Sequence, residues 1–586
     1  MKKKDSRVST PAQNEKEDTA KQGSSRRAFF GQLGGAAAAT IAASAFVGPL
    51  AKTAQADTNV AGSIFGVGRA NQAENVRTVA AQNERAVPIP PHTTNGDEER
   101  YADKSASYSK ALLQDRYCVV DPAAWASFQT AINSGLWSDW QNIILGGTRS
   151  ENGPMGAYFF TQIGTDSGQF GNAPSPRNQQ GQIVVPPFAQ ITSADYGTQL
   201  IEMYWAALCR DVAFTDYPTN STAIAAAAEL SGQATYRGPR DPITGQVTPE
   251  LLFRGGFPGE TIGPYVSQLW ITPTSFGQQA VSQQYTTYLP NIDYMTDLTT
   301  WFDVQNGIPT GLSNQNDPTL RYLHDGRGFA AFTHLDFPSQ EWINALLVLS
   351  SIGAPLNPGN PYLSSRTQNG FCTFGGPDMM AWIGGISAHA LDVVWYQKWL
   401  VHLTHRPEAG GGVAQLLLTG QQNTVDARLN RNVLNSQGIA QTFSKYGTYL
   451  VPQAFPEGSP AHPSYPTGHG TAGGACATLL KFMFDESFVI PHPLVPSDDG
   501  LSLQPYTGSG AGQITVGGEI NKLAHNVSFG HGIHAGIHWR SDTDQSHILG
   551  ETYAISVLQD YAKSYAEPFT IGFTKFDGTT ATISNQ

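Results

Sequence analysis

Residues 462 to 469 read His-Pro-Ser-Tyr-Pro-Thr-Gly-His and lead into an apolar helical stripe of Cys476, Leu479, Leu480, Met483 and Phe484. Pro463 and Pro466 fix φ, remove two donors and push the residues before them out of the α region. A stiff loop therefore delivers Thr467, Gly468 and His469 to a helix start, where unpaired N–H groups and the positive end of the dipole favour an anion. Thr467 adds a hydroxyl, Gly468 lets a ligand approach the backbone, and His469 stands at the rim. That composition suits an oxyanion seat, although the octapeptide alone reads more simply as a Pro/Gly-rich connection with two surface histidines.

Two distant pieces share its chemistry. The longest helical signal runs from Asp378 to Leu403, with Trp382, Ile383, Ile386, Leu391, Val394 and Trp395 on one broad apolar stripe. Lys398, three residues after Trp395, falls on that face, and a lysine turned inward needs an anion. Pro407 predicts a helix end near Arg406 and holds that residue beside the terminus. Taken singly, both cations would be read as snorkelling or solvated charges. The third piece is Gly536-Ile537-His538-Trp539-Arg540-Ser541-Asp542, at the end of a predicted helical segment over 519–540 that also carries His525, His531 and His534. Fixed cations, a helix N-terminus and two histidines are what a pocket for a tetrahedral or trigonal-bipyramidal oxyanion requires.

With these pieces together the chain resembles the vanadium-dependent haloperoxidases, which share their oxyanion pocket with the type 2 phosphatidic acid phosphatases. The resemblance covers nearly the whole mature chain, including Asn95 to Tyr101 and Phe455-Pro456-Glu457-Gly458-Ser459-Pro460. It implies a mainly α fold of two four-helix-bundle-like units with long loops, and a vanadate cofactor. By the same resemblance Lys398 and Arg406 contact equatorial oxygens, Thr467 stands where the family usually has serine, and Gly468 donates its backbone N–H. His469 becomes the acid–base group, His538 the vanadium ligand, and Asp542 the partner of the other His538 ring nitrogen. Trp395 and His462 match the halide side, where a histidine is similar to bromoperoxidases more than to fungal chloroperoxidases. The implied reaction is oxidation of halide, bromide foremost, by hydrogen peroxide, with Lys398 polarising a peroxide oxygen and a small organic acceptor taking the halogen. A homo-oligomer is also implied.

One position departs from the pattern. The family places a second vanadate-binding arginine six residues before the metal-binding histidine, and here that residue is Gly532, in the run Phe529-Gly530-His531-Gly532. Losing one charge-assisted contact to a buried oxyanion costs about 2–3 kcal/mol. Arg540, two residues after His538, points elsewhere on a helix, whereas a one-residue shift would let His531 or His534 reach the oxyanion. Three other readings follow: an acid phosphatase with His538 as nucleophile and His469 as general acid, a non-catalytic member that lost the oxyanion, and a divalent-metal site built from His531, His534 and His538.

The elements that must position these residues are mostly helical. Ser193 is a plausible N-cap for a helix carrying Tyr196, Leu200, Met203, Tyr204, Ala207 and Leu208, and another helix covers about 339–352. Ser541 with Asp544 resembles a capping box for a last helix reaching about Tyr565. After it, Phe573–Phe576, Asp577-Gly578 and Thr579–Ile583 read as a small β-hairpin. Residues 57–335 form a loop-rich first part and 336–586 the part holding the site, within one large domain. Residues 1–56 resemble a twin-arginine signal, with Arg26-Arg27, a weakly apolar run and Ala54-Gln55-Ala56, and predict export to the periplasm or beyond. That segment has nine Lys/Arg against four Asp/Glu, so the whole-chain net charge of −12 leaves −17 on the mature part. Such acidity argues against nucleic acid as a partner, and no later stretch is apolar enough to span a membrane. Cys209 and Cys476 fall on apolar helical faces, while Cys118 and Cys372 remain candidates for pairing.

Overall fold

The computed structural model describes residues 67–86, 91–158, 183–421 and 423–586, so the signal-like segment lies outside the described residues. Two compact units divide after Glu74. The first contributes only the start of the helix Val67–Ala86, and the candidate site lies wholly in the second. There the principal helices are α1 (Ala194–Leu208), α2 (Ser221–Ser231), α3 (Gly326–Leu335), α4 (Gln340–Ser351), α5 (Gly376–Tyr396), α6 (Pro407–Leu418), α7 (Gln437–Tyr446), α8 (Gly468–Met483), α9 (Val516–Phe529) and α10 (Arg540–Ala562). A hairpin of β1 (Thr570–Thr574) and β2 (Thr580–Ser584) closes the chain, turning at Asp577-Gly578 with Gly578 at φ +80°. The mainly α fold and terminal hairpin agree with the sequence.

The central element is α8, whose residues are nearly all buried. It packs on α5, α9 and α10, and α4 flanks α5 and α8. Small residues permit the closest of these contacts. A β-carbon on Gly474 would stand 2.2 Å from the His547 carbonyl oxygen, and one on Gly550 would stand 2.0 Å from that of Thr471. The two backbones therefore approach to a distance that only glycine tolerates at these positions. Leu479 and Leu480 are fully buried farther along α8, each contributing about 1.5–3 kcal/mol. A second helical group forms around α1, which Ser193 caps by accepting from the Tyr196 N–H, and against which α2, α6 and α7 pack.

Several boundaries differ from the sequence reading. Pro407 opens α6 at its first position, where a missing N–H costs nothing, so Arg406 is an extended residue between two helices (φ −87°, ψ 159°). The segment over 519–540 is not one helix. It breaks after a π-helical turn at Gly530–His534, and Gly536 at φ +92° redirects the chain before α10. The cap of α10 is Trp539 with Asp542, not Ser541 with Asp544: the Asp542 carboxylate accepts the Trp539 N–H at 3.2 Å. All four cysteines are free thiols; Cys118 is buried and Cys372 exposed, so these two do not pair. No helix among the described residues is long and apolar enough to cross a membrane.

Candidate active site

Helix α5 continues into a π-helical stretch, Gln397–His402, that turns Lys398 into the interior. Its Nζ donates to the carbonyls of Pro463 (2.8 Å) and Ser464 (2.6 Å) and lies 5.9 Å from the centre of the Trp395 ring. From the other side the buried Arg406 donates through Nε to the His462 carbonyl (3.1 Å) and through Nη1 to the Ile537 carbonyl (2.9 Å). The same Nη1 is 2.7 Å from His538 Nε2, and Nη2 is 3.0 Å from His462 Nδ1. Two inward cations thus hold the backbone of the 462–464 loop, and Arg406 also reaches the rings of His538 and His462.

A buried ion pair fixes that loop from beneath. Lys110 Nζ donates to Glu408 Oε1 (2.6 Å) and to the carbonyls of Ser459 (2.6 Å) and Glu457 (2.9 Å). The other oxygen of Glu408 accepts the Ser459 N–H at 2.8 Å. Above, Trp395 and His462 lie with ring centres 4.8 Å apart, and a β-carbon on Gly468 would meet the Trp395 ring at 3.3 Å. The tryptophan thus roofs the start of α8. Thr467 is the N-cap of α8 yet makes no capping bond, and its buried hydroxyl has no partner among the described residues. The first N–H groups of α8, that of Gly468 among them, have no carbonyl within the helix to pair with.

His538 follows the Gly536 turn. Its Nδ1 donates to Asp542 Oδ2 at 2.8 Å, and Ser464 Oγ donates to the same oxygen. This fixes the tautomer and makes Nε2 the lone-pair nitrogen, which here accepts from Arg406 Nη1. Burial, Arg406 and Lys398 hold His538 well below the usual imidazole range, so it stays neutral. Burial and the two cations act likewise on His462. Burial, then Arg406, lowers Lys398 far below its ordinary value, and burial brings Arg406 down to about 10. Burial pushes the Asp542 carboxyl up to about 6. His469 extends from α8 to Asp336, with Nε2 at 3.0 and 3.1 Å from the two carboxylate oxygens.

Lys398, Arg406, Thr467, Gly468, His469, His538, Asp542, Trp395 and His462 are therefore brought together around one pocket. His534 is not. Its backbone carbonyl accepts from Arg210, and its ring packs among Phe214, Phe253, Tyr265 and Phe329. Among the described residues no three His, Cys, Asp or Glu converge on a possible ion. The π turn and Gly536 send His534 away from the other two histidines, so the three do not converge, which removes the divalent-metal reading. Arg540 turns away into a buried ion pair with Glu202 (Nη2 to Oε1 2.5 Å). It does so because Gly536 redirects the chain, not because it shares a helix with His538.

The decisive property is charge. Lys398 and Arg406 are almost wholly buried, and neither forms an ion pair with a carboxylate among the described residues; Asp542 offsets them only at longer range. Buried cations without a counter-ion, an unpartnered hydroxyl and free helix N–H groups fit an oxyanion, vanadate included. No protein-family model matches the chain. It is 35% identical over 492 residues to a vanadium-dependent bromoperoxidase of Ascophyllum nodosum, across 81% of this chain and 86% of that protein. The chain belongs to the vanadium-dependent bromoperoxidases. Vanadium-dependent bromoperoxidases of Corallina officinalis and Corallina pilulifera are each 29% identical over 591 residues, covering 88% of this chain. The solved homohexameric vanadate-dependent bromoperoxidase AnII of Ascophyllum nodosum superposes with a TM-score of 0.80 at 28% identity, over 88% of this chain and 90% of that one.

Sequence reasoning missed Asp336, Lys110, Glu408 and the role of Ser464 in the bromoperoxidase site, and raised His531 only in passing. Asp336, just beyond α3, lies 133 residues from His469 and carries no local pattern. Lys110 and Glu408 are 298 residues apart. Ser464 was visible within the octapeptide, but only the fold shows that it faces Asp542. His531 was raised only through the one-residue shift; its ring stacks on that of His469 at 3.8 Å and 27°, and burial and His469 keep it well below the usual imidazole range.

Proposed function

We propose that the chain uses vanadate to catalyse oxidation of bromide by hydrogen peroxide, giving hypobromous acid and water. Peroxide is reduced, bromide loses two electrons, and one proton is consumed. The observation that carries this reading is the pair of buried cations without carboxylate partners, set against a neutral His538 whose ring is oriented by Asp542. Lys398, Arg406, the Thr467 hydroxyl and the Gly468 N–H would hold vanadate, with His538 Nε2 as the metal ligand. Bound vanadate supplies a Lewis-acid centre that activates peroxide toward halide. Around it Lys398 and Arg406 place fixed positive charge where negative charge develops on oxygen. His469, oriented by Asp336, takes the proton from incoming peroxide and returns it to the departing oxygen. Trp395 and His462 line the halide side and keep it dry and uncharged. We further propose export through residues 1–56 by a twin-arginine route, a mature chain of one catalytic domain that assembles as a homo-oligomer, and a small organic acceptor for the oxidised halogen.

The test is bromination of a dione reporter by protein freed of vanadate and then reloaded. Activity should require vanadate, bromide and peroxide together, and His538→Ala should abolish it. Activity that is indifferent to vanadate, or that survives His538→Ala, would sink the reading. Phosphate ester hydrolysis without vanadate, lost in His538→Ala, would instead point to the phosphatase reaction of the same pocket.

A further inference from the structure

We propose that His531 is a further residue of the oxyanion seat, contacting bound vanadate through Nε2 on the wall that sequence spacing assigns to residue 532. The proposal rests on the vanadate reading above. A π turn accommodates one more residue than an α turn, and the turn at Gly530–His534 brings residue 531 round to the pocket. The His531 ring stacks on His469 at 3.8 Å, and its centre is 5.6 Å from that of His538, between the acid–base histidine and the metal-binding one. Its Nδ1–H donates to the Thr333 carbonyl at 3.1 Å, which fixes the ring and its tautomer. Nε2 is then the lone-pair nitrogen, and it has no protein partner among the described residues.

Gly532 cannot play this part. A β-carbon there would lie 3.0 Å from His538 Cβ, so any side chain would start against the base of the metal-binding histidine itself. Position 532 is a packing position that lets His538 sit close to the π turn. The chemical consequence is specific. An arginine would bring a third positive charge and donors only, whereas a neutral imidazole with Nδ1 already committed offers an acceptor. His531 therefore recognises an O–H of a protonated oxyanion, and the seat holds its ligand with two fixed cations.

The experiment titrates the full chain, freed of vanadate, with orthovanadate in a calorimeter. Wild type, His531→Ala and His531→Gln are each compared with and without His469→Ala. Loss of one hydrogen bond to a charged ligand weakens binding about 10- to 100-fold. His531→Ala should show that loss, His531→Gln should recover most of it by keeping an acceptor, and the loss should persist in the His469→Ala background. Equal affinity for wild type and His531→Ala overturns the proposal. So does a loss that vanishes once His469 is gone, because His531 would then act only by supporting His469. Wild type that binds no vanadate would instead defeat the functional reading itself.

Discussion

The contact between α8 and α10 is where packing and catalysis can be separated by one methyl group. In Gly550→Ala the new β-carbon would lie 2.0 Å from the Thr471 carbonyl oxygen and 2.7 Å from the Ala475 nitrogen. Both are backbone atoms of a fully buried helix, so no side chain can swing aside. The first contact is roughly 1.5 Å too short for van der Waals separation, and α10 must retreat from α8 by about that distance. Overpacking of this kind costs about 3 kcal/mol at the upper end of the usual range, offset by about 1 kcal/mol of helix propensity, for a net loss near ~2 kcal/mol. The same displacement reaches the site, because α8 begins with Gly468 and His469 while α10 carries Asp542 in its first turn. A shift of about 1 Å between such elements lowers turnover roughly 100-fold. Gly384→Ala on α5 is the matched control, since a β-carbon there meets nothing within 4 Å. It should stabilise by about 0.5–1 kcal/mol and leave turnover unchanged. Urea titration and dione bromination of both variants decide the matter. If Gly550→Ala matches Gly384→Ala in midpoint and turnover, the site does not depend on this contact.

Three further outcomes are expected. Lys110→Met leaves Glu408 buried without its cation and should cost about 3–5 kcal/mol in urea unfolding, whereas the double variant Lys110→Met/Glu408→Gln should recover a measurable part of it. Asp336→Asn should leave the unfolding midpoint nearly unchanged yet reduce kcat at least about 10-fold, within the 10²–10⁴ that positioned proton transfer supplies; vanadate affinity measured in parallel should change far less than kcat. His525 lies buried between Glu260 and Asp544 and beside His547, and Glu260, the larger of the raising charges, together with Asp544 brings its pKa up to about 9 against an ordinary 6.5. Its folded pKa is raised, so the stabilisation is complete below pH ~6.5 and fades as pH rises through about 9, a loss of ~3 kcal/mol. Comparing the pH dependence of urea midpoints for wild type and His525→Gln would check this, and parallel curves would refute it.

How much of this was legible in the sequence depended on whether the information was local. Lys398 could be read as inward-facing because it sits three residues from Trp395 on an apolar stripe, and its amine does lie against that ring. Pro407 was ambiguous for a physical reason. Proline is equally at home after one helix and at the first position of the next, and only the packing of α6 against α1 selects the second. Residues 519–540 misled more deeply, since their apolar and histidine spacing matches an unbroken helix. The break resides in Gly530–His534 and in Gly536 at φ +92°, and glycine announces permission for such a turn without requiring it. Arg540 is instructive in this respect: it was expected to miss the oxyanion because of helical geometry, and it misses because Gly536 redirects the chain and Glu202, 338 residues earlier, receives it in a buried ion pair. Asp336 and Lys110 likewise act across gaps of 133 and 298 residues. Helical faces can be read from periodicity, but the partner that completes each buried charge is set by which faces the whole fold brings together, and in this site one such distant partner, Asp336, decides where His469 points.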